Sequence, residues 1–315
     1  MPSYSGVWNL VSVYQAVAQG NWPSPPSYGY FSGFGTSVNT IEYVNITTQS
    51  NGSDFGDLTQ ARGTVPGACS SSTRGCFAGG YATSLGNWSN VIDYVTFASL
   101  GNATSFGTLT QRLNYLGGCG SATRGVFAGG DDDGSSPHVN VIQYITIGTT
   151  GNATDFGDLD AKLSGVGACS SPTRGVFSCG GVDTGIRVNT IQYITIATTG
   201  NATDFGDSVI TRESVCGASS STRGLFAGGF SNTTNVIDYV TIASTGNATD
   251  FGDLATANYG LGGASSSINA VFSYGVTGGN VLQYVTIATT GNTATFGELP
   301  TANATCACSN AHGGL

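Results

Sequence analysis

Short runs in which apolar and polar residues alternate recur along most of the chain. The run Asn140-Val-Ile-Gln-Tyr144-Ile-Thr-Ile147 is matched closely by Asn235-Val-Ile-Asp-Tyr239-Val-Thr-Ile242. Alternation with a period of two is typical of a β-strand with one buried face. A Gly-Asn pair follows each run, and these residues tolerate the positive φ of a hairpin turn. The pattern therefore predicts an all-β chain built from repeated hairpins.

The repeat is long enough for four strands. Its tyrosines are separated by 45 to 51 residues, and they are Tyr43, Tyr94, Tyr144, Tyr193, Tyr239 and Tyr284. A phenylalanine followed by glycine recurs at the same separations, at Phe55, Phe106, Phe156, Phe205, Phe251 and Phe296. We expect Phe106, Phe156, Phe205 and Phe251 to be buried between units. Each unit reads as a small apolar strand, a Thr-Arg-Gly turn, a strand ending in Gly-Gly, the alternating strand and a last strand that carries the phenylalanine. Such a unit is typical of a propeller blade.

The two ends of the repeated region complement each other. The segment near Cys308 resembles a first strand without its second, and the segment around Phe31 resembles a second strand without its first. Pairing the two completes one blade and removes the exposed edges of an open ring. The second-strand phenylalanines are Phe31, Phe77, Phe127, Phe177, Phe226 and Phe272. The sequence thus predicts an all-β, six-bladed propeller over residues 29–315, with four antiparallel strands per blade, preceded by an N-terminal arm of residues 1–28.

The order of glycine doublet, variable loop, tyrosine, hairpin, aromatic residue, leucine and Ala-Arg resembles the kelch repeat. The matching doublets are Gly79-Gly80, Gly129-Gly130, Gly180-Gly181 and Gly228-Gly229. The wording of the segment from Asn235 to Leu254 resembles kelch-type repeats in structural proteins of tailed bacteriophages of aquatic bacteria. The resemblance implies a kelch-like propeller that is part of a virion, in the tail or its tip. The alternative location is secreted or at a cell surface.

Composition narrows the possible partners. Charged residues make up 9 % of the chain, the net charge is −9, and Lys162 is its single lysine. A nucleic-acid-binding protein needs a basic face to displace counterions from phosphates, so nucleic acid is excluded as a partner. The chain has no run of about 18 apolar residues, so we expect no membrane insertion. The N-terminus also lacks the basic region of a secretion signal.

Two sets of residues recur at one position in each unit. Arg74, Arg124, Arg174 and Arg223 lie in the turn between the first two strands, with Asn269 and His312 at the other two positions. They would either hold an anion around a channel or pair with Asp57, Asp158, Asp207 and Asp253 to join blades. Cys69, Cys119, Cys169 and Cys308 align with Ala218 and Ala264, where inner strands crowd the axis. A soft metal is the other interpretation of these cysteines, but they lack paired ligand spacing, so we expect no metal and no cofactor.

The parts that do not repeat hold the remaining binding candidates. Trp8 and Trp22 lie in the arm, whereas Trp88, His138 and Arg187 lie in the long loops of the second to fourth blades, together with Asp131 and Asp183. Tryptophan is enriched where binding energy concentrates. The acidic loop Asp131-Asp132-Asp133-Gly134 would hold calcium or, as we prefer, form a solvated turn. The Asn-Ala-Thr motifs at Asn102, Asn152, Asn201 and Asn247 fit glycosylation acceptors, although turn geometry explains them equally.

These observations favour a non-enzymatic virion protein that works by binding. The arm would contact other virion proteins, and the loops would recognise a glycan or receptor on the host surface. The alternatives are a carbohydrate-active enzyme, a secreted glycan-binding propeller and an intracellular adaptor. An enzyme should collect irregular polar residues on one face. The loops show no proton-transfer pair in the sequence, so we expect no catalytic residues.

Overall fold

The computed structural model describes residues 26–34, 38–64, 66–133 and 138–315. Six four-stranded antiparallel sheets are the blades of one propeller, in which each blade has its strands in the predicted order. The six-bladed all-β fold is therefore confirmed. Helix is confined, in these ranges, to a single 3-10 turn at Gly275–Thr277. The described residues include no helix with the length and apolar character needed to span a membrane.

The strands are numbered along the chain. Blade 1 begins with β1 (Tyr28–Ser32), β2 (Thr40–Asn45) and β3 (Ser53–Asp57). Blade 2 contains β4 (Gly67–Ser70), β5 (Arg74–Ala78), β8 (Val91–Thr96) and β9 (Thr104–Thr108), and the separate hairpin of β6 (Tyr81–Ala82) and β7 (Asn87–Trp88) projects from it. Blade 3 contains β10 (Gly117–Gly120), β11 (Arg124–Ala128), β12 (Val141–Thr146) and β13 (Thr154–Asp158).

The other half of the ring repeats this plan. Blade 4 contains β14 (Gly167–Ser170), β15 (Arg174–Gly181), β16 (Arg187–Thr195) and β17 (Thr203–Asp207). Blade 5 contains β18 (Cys216–Ser219), β19 (Arg223–Ala227), β20 (Val236–Thr241) and β21 (Thr249–Asp253). Blade 6 contains β22 (Gly263–Ser265), β23 (Asn269–Phe272), β24 (Val281–Thr286) and β25 (Ala294–Glu298).

The ring closes as the truncated ends of the sequence predict. The last strand, β26 (Cys306–Ser309), becomes the innermost strand of blade 1 by pairing with β1. Tyr30 lies opposite Cys308 in this antiparallel pair. Blade 1 therefore contains strands from both ends of the described chain, and this pairing holds the ring shut.

The core lies between blades. Each of the six buried apolar clusters contains residues of two neighbouring blades. Phe156 of blade 3 illustrates the arrangement, because it shares a cluster with Ile194 of blade 4 and packs edge-on against Tyr144 of its own blade, with ring centroids 6.0 Å apart. The predicted burial of the repeated phenylalanines is confirmed: Phe106, Phe156, Phe205 and Phe251 are only 2–3 % exposed.

A ring of asparagines fastens the outer edges of the blades. The Asn201 side-chain oxygen of blade 4 accepts a hydrogen bond from the Asp158 backbone amide of blade 3, at 3.0 Å. The equivalent acceptors around the ring are Asn51, Asn102, Asn152, Asn247 and Asn292. The glycine after each phenylalanine is explained by the same contact. A Cβ at Gly157, whose φ is +146°, would collide with the backbone of Gly200 in the next blade.

Candidate functional site

The two faces of the ring carry different loops. Turns between the first and second strands, and between the third and fourth, lie on one face, which we name the hairpin face. Loops between the second and third strands, and the links from one blade to the next, lie on the opposite face, which we name the loop face. This follows from the antiparallel order of every blade.

The four recurrent arginines of the hairpin face are used in structure. The Arg174 guanidinium donates to the Ile242 carbonyl of the next blade at 3.0 Å and lies 4.6 Å from the Tyr193 ring centroid. The other three repeat both contacts: Arg74 with Tyr94, Arg124 with Tyr144 and Arg223 with Tyr239. The prediction that they join blades is confirmed. The predicted partners are wrong. The arginines bind carbonyl oxygens of the next blade, and among the described residues they form no ion pair with the four aspartates.

The expected place of His312 in this set is also wrong. Strand β1 supplies Tyr28 at the sixth position, and its ring lies 5.8 Å from that of Tyr43. His312 instead lies beyond β26, because the chain leaves blade 1 after Ser309 and crosses the axis.

The aligned cysteines lie around the axial cavity, where they pack against neighbouring blades. Each thiol faces the glycine after the next blade's arginine, so a Cβ at Gly125 would overlap the Cys69 sulfur, and one at Gly175 would lie 2.9 Å from the Cys119 sulfur. All eight cysteines are buried and free. Burial raises the pKa of the Cys119 thiol to about 12, so this thiol is protonated and unreactive at neutral pH.

Serine side chains connect the inner strands around the same axis. The Ser219 hydroxyl donates to the Ser170 carbonyl at 2.7 Å, and the Ser170 hydroxyl donates to the Gly120 carbonyl at 2.8 Å. Ser265 and Ser70 make the equivalent bonds to the carbonyls of Ser219 and Ser309. Blade 3 has Gly120 at this position and lacks the hydroxyl that would reach the Ser70 carbonyl.

The residues after β26 occupy the space that Gly120 leaves. His312 Nε2 lies 2.9 Å from the Ser70 carbonyl oxygen, and the Gly314 amide donates to His312 Nδ1 at 3.0 Å. Side chains at residues 313 and 314 would collide with the backbones of blades 3, 4 and 5. Residues 310–315 therefore form a plug, which closes the axial cavity at the hairpin face.

The loop face holds a separate pocket, which we name the loop-face pocket. Its volume is about 250 Å³. The residues that line it come from the second-to-third-strand loops of blades 3 and 5 and from the links between blades, and they are Tyr115, Asp131, His138, Ser164, Glu213, Ser214, Phe230 and Tyr259. Few of them follow the repeat, so the pocket breaks the sixfold pattern of the ring.

Two side chains, His138 and Arg187, organise the loop-face pocket. His138 lies between two carboxylates, with Nε2 3.3 Å from Asp131 Oδ1 and Nδ1 3.3 Å from Asp183 Oδ1. Arg187 Nη2 lies 3.0 Å from Glu213 Oε1, and the guanidinium carbon lies 4.6 Å from the Phe230 ring centroid. Two predicted binding residues, His138 and Arg187, therefore lie at one site, although they are far apart in the sequence.

Burial changes the acidity of groups in this pocket. Desolvation raises the pKa of Asp131, while hydrogen bonding by Ser164 and the charge of His138 act in the opposite direction. The pKa of Tyr115 is also raised, first by burial and then by the charges of Asp131, Tyr259 and Glu213. Burial is the largest cause of both shifts, so the pocket keeps these two groups away from water.

Two expectations for the loops require correction. Asp131 is not part of a solvated turn, because its side chain is only 15 % exposed and contacts His138. The absence of a proton-transfer pair is also wrong, since a histidine with two neighbouring carboxylates has the groups that such a pair needs. Both errors arise because the bends of the blade 3 and blade 4 loops bring these residues together.

Of the three tryptophans, Trp88 lies within the described residues. Trp88 is half-buried in the β6–β7 hairpin, opposite Tyr81, and does not line the loop-face pocket. The neighbouring Asn87 donates to Asp133 at 3.0 Å, so this hairpin contacts the acidic loop of blade 3. Trp8 and Trp22 lie outside the described residues, and their role stays a prediction.

The sequence interpretation missed the pocket residues that come from the links between blades. Tyr115, Ser164, Glu213 and Tyr259 lie between the last strand of one blade and the first strand of the next. The sequence does indicate these positions, because the residue at one equivalent place in the links differs from blade to blade. The residues at that place form isolated β-bridges with the loop after the second strand, and they are Gly63, Asn114, Ser164 and Glu213.

Comparison with known proteins adds no assignment. No protein-family model and no curated protein matches this chain. The functional argument therefore rests on the fold and on the loop-face pocket. That pocket combines aromatic rings, carboxylates, hydroxyls and an imidazole, which can bind a small polar ligand or exchange protons with it.

Proposed function

We propose that the chain is a non-enzymatic binding module that recognises its ligand through the loop face. The observation that carries this proposal is the location of the residues that break the repeat. The recurrent arginines, asparagines and phenylalanines make contacts between neighbouring blades. The irregular polar and aromatic residues lie around the loop-face pocket, an arrangement that suits a binding site and an active site alike, and the polysaccharide experiment below separates the two. Binding residues on loops held by a rigid scaffold are a common arrangement in proteins.

We further propose a kelch-like virion protein of a bacteriophage, in the tail or its tip. This finer proposal is supported by the amino-acid sequence of the repeat from Asn235 to Leu254. It is also supported by the low content of charged residues, which make up 9 % of the chain. The arm, with Trp8 and Trp22, would bind other virion proteins, and the loop face would recognise the host surface.

Purified particles of the source phage test the virion role. Mass spectrometry should detect the chain in intact particles, in a fixed ratio to the other tail proteins. A variant that lacks residues 1–25 keeps β1 whole, so the ring should fold while incorporation into particles is lost. Full-length protein, expressed in the same way, is the control. Normal incorporation of the shortened chain, or absence of the full-length chain from particles, would contradict the proposal.

A carbohydrate-active enzyme is the second candidate, and it is favoured by the placement of His138 between Asp131 and Asp183. General acid–base catalysis needs such groups within reach of a bound substrate. Incubation of the folded protein with host envelope polysaccharide separates the two functions. Release of shorter saccharides that stops in the variant His138→Ala would identify an enzyme. Binding without release supports the binding module.

A further inference from the structure

We propose that the loop-face pocket binds a single saccharide ring that carries no negative charge. The inference rests on the proposed function, because it names the chemistry by which the loop face would recognise a host surface. Three features carry it: the size and aromatic lining of the pocket, its unused hydrogen-bonding atoms, and its charge.

The dimensions of the pocket suit one ring. Its volume of about 250 Å³ is just below the ~300–1,000 Å³ typical of sites for drug-sized ligands. Aromatic side chains from separate links and loops form part of the wall, namely Tyr115, Phe230 and Tyr259. Tyr259 and Phe230 pack together with ring centroids 5.1 Å apart. Aromatic faces bury the carbon–hydrogen face of a sugar ring, while the tyrosine hydroxyls remain able to form hydrogen bonds.

The rest of the pocket lining is rich in hydrogen-bond acceptors. Asp131 Oδ1 and His138 Nδ1 are buried but make no hydrogen bond of good geometry within the described protein. Buried polar atoms are almost always satisfied, and a ligand hydroxyl can complete what the 3.3 Å contacts of these two atoms with His138 Nε2 and Asp183 Oδ1 leave unmet. Ser164 and Ser214 add hydroxyl groups that can donate or accept. One hydroxyl of a sugar would donate to the Asp131 carboxylate, and a neighbouring hydroxyl would form a hydrogen bond with the His138 imidazole.

The charge of the pocket selects against acidic sugars. Asp131, Asp183 and Glu213 contribute three carboxylates, against which stand Arg187 and the titratable His138. Arg187 is already neutralised by Glu213, so no free cation is available for a ligand carboxylate. The same guanidinium occupies the face of Phe230, where an ammonium ligand would otherwise be held. An uncharged sugar satisfies the remaining groups without repulsion.

Saturation-transfer NMR on the full-length protein tests the inference with defined probes. These are methyl galactoside, N-acetylglucosamine, N-acetylneuraminic acid, glucuronic acid and choline. We expect saturation of one or both neutral sugars, and none of the two acids or of choline. Saturation of only the acids, of only choline, or of none of the probes would overturn the inference.

Two variants connect the signal to the pocket. Tyr259→Ala should weaken neutral-sugar binding about tenfold, the loss expected for one stacked aromatic contact. Tyr274→Ala, a loop-face tyrosine outside the pocket lining, is the matched control and should bind normally. Glu213→Gln removes the partner of Arg187, and acidic sugars should then begin to bind. Equal binding by Tyr259→Ala and the control, with thermal unfolding showing both folded, would overturn the inference.

The result is separable from the virion proposal. A chain that is present in particles and binds none of the probes would remove this inference and leave the virion role intact. A chain that binds neutral sugars but is absent from particles would remove the virion role and leave the pocket assignment intact.

Discussion

His312 Nε2 lies 2.9 Å from the carbonyl oxygen of Ser70, across the gap where Gly120 replaces the serine of the other blades. The plug thus restores a contact between inner strands that blade 3 cannot make. His312 Nδ1 accepts from the Gly314 amide at the same time, so the ring must be neutral, with its proton on Nε2. One imidazole therefore connects blade 2 to the plug in a way that depends on its protonation state.

The plug should loosen in mild acid. Burial lowers the pKa of His312, although the hydrogen bond to the Ser70 carbonyl acts in the opposite direction. A histidine whose pKa is lower in the folded state binds fewer protons than in the unfolded chain. Its contribution to stability is therefore present above the unfolded pKa, near 6.5, and is lost as the pH falls through the folded pKa.

Urea unfolding at several pH values measures this effect against the variant His312→Gln, whose amide can donate to Ser70 and accept from Gly314 at any pH. The wild type should lose stability relative to the variant as the pH falls below about 6.5. A difference that does not change with pH would contradict the role of His312.

The cysteine ring should depend on glycines in the neighbouring blades. The substitution Gly125→Ala places a methyl group against the Cys69 sulfur, and overpacking of this kind costs about 1–3 kcal/mol of unfolding free energy. The second substitution Cys69→Ala should restore part of the loss, because blades 5 and 6 already combine Ala218 with Ala270 at the equivalent positions.

Chemical denaturation of the single and double variants measures the coupling between these two residues. Gly148→Ala is the matched control, because no atom lies within 4 Å of an added Cβ there, and it should change stability little. If the losses from Gly125→Ala and Cys69→Ala are additive and the double variant shows no rescue, the Cys69 thiol is not the reason that glycine is required at position 125.

The repeated phenylalanines should contribute strongly to stability. Phe156 is 3 % exposed and lies between blades 3 and 4, so Phe156→Ala leaves a cavity on both sides of the interface. The expected loss is about 3–5 kcal/mol in unfolding free energy, measured by denaturant titration. Leu100→Ala is the control, since Leu100 is 66 % exposed. A loss below about 1 kcal/mol would be inconsistent with a core position.

The sequence predicts the ring better than the pocket for a physical reason. Recurrence at Tyr144 or Phe156 identifies a packing position because every blade packs against its neighbour with the same residue at that position. The pocket is assembled by residues that differ between blades, such as Tyr115 and Glu213, and their proximity depends on ring closure. The repeat aligns His312 with the arginines, because residue spacing alone does not show that the chain leaves the blade after Ser309.

One buried acid offers a stabilising substitution. The residue before each repeated tyrosine accepts a hydrogen bond from the link that enters its blade, and the Glu42 carboxylate accepts from the Thr301 amide at 3.2 Å. Gln143, Gln192 and Gln283 make the same bond in three other blades. The two aspartates at this position form ion pairs with buried arginines, Asp93 with Arg62 and Asp238 with Arg212. Glu42 has no such partner among the described residues.

Burial raises the pKa of Glu42, and the hydrogen bonds from Thr301 oppose that rise only in part. An acid with a raised folded pKa binds protons more readily in the folded state, so its ionisation lowers stability at neutral pH. Glu42→Gln keeps the acceptor and removes the charge, and we expect a gain of about 0.5–2 kcal/mol at neutral pH. The gain should shrink as the pH falls and Glu42 becomes protonated. Glu298→Gln, at an exposed position, is the control, and a loss of stability in Glu42→Gln at neutral pH would mean that the carboxylate has a cationic partner.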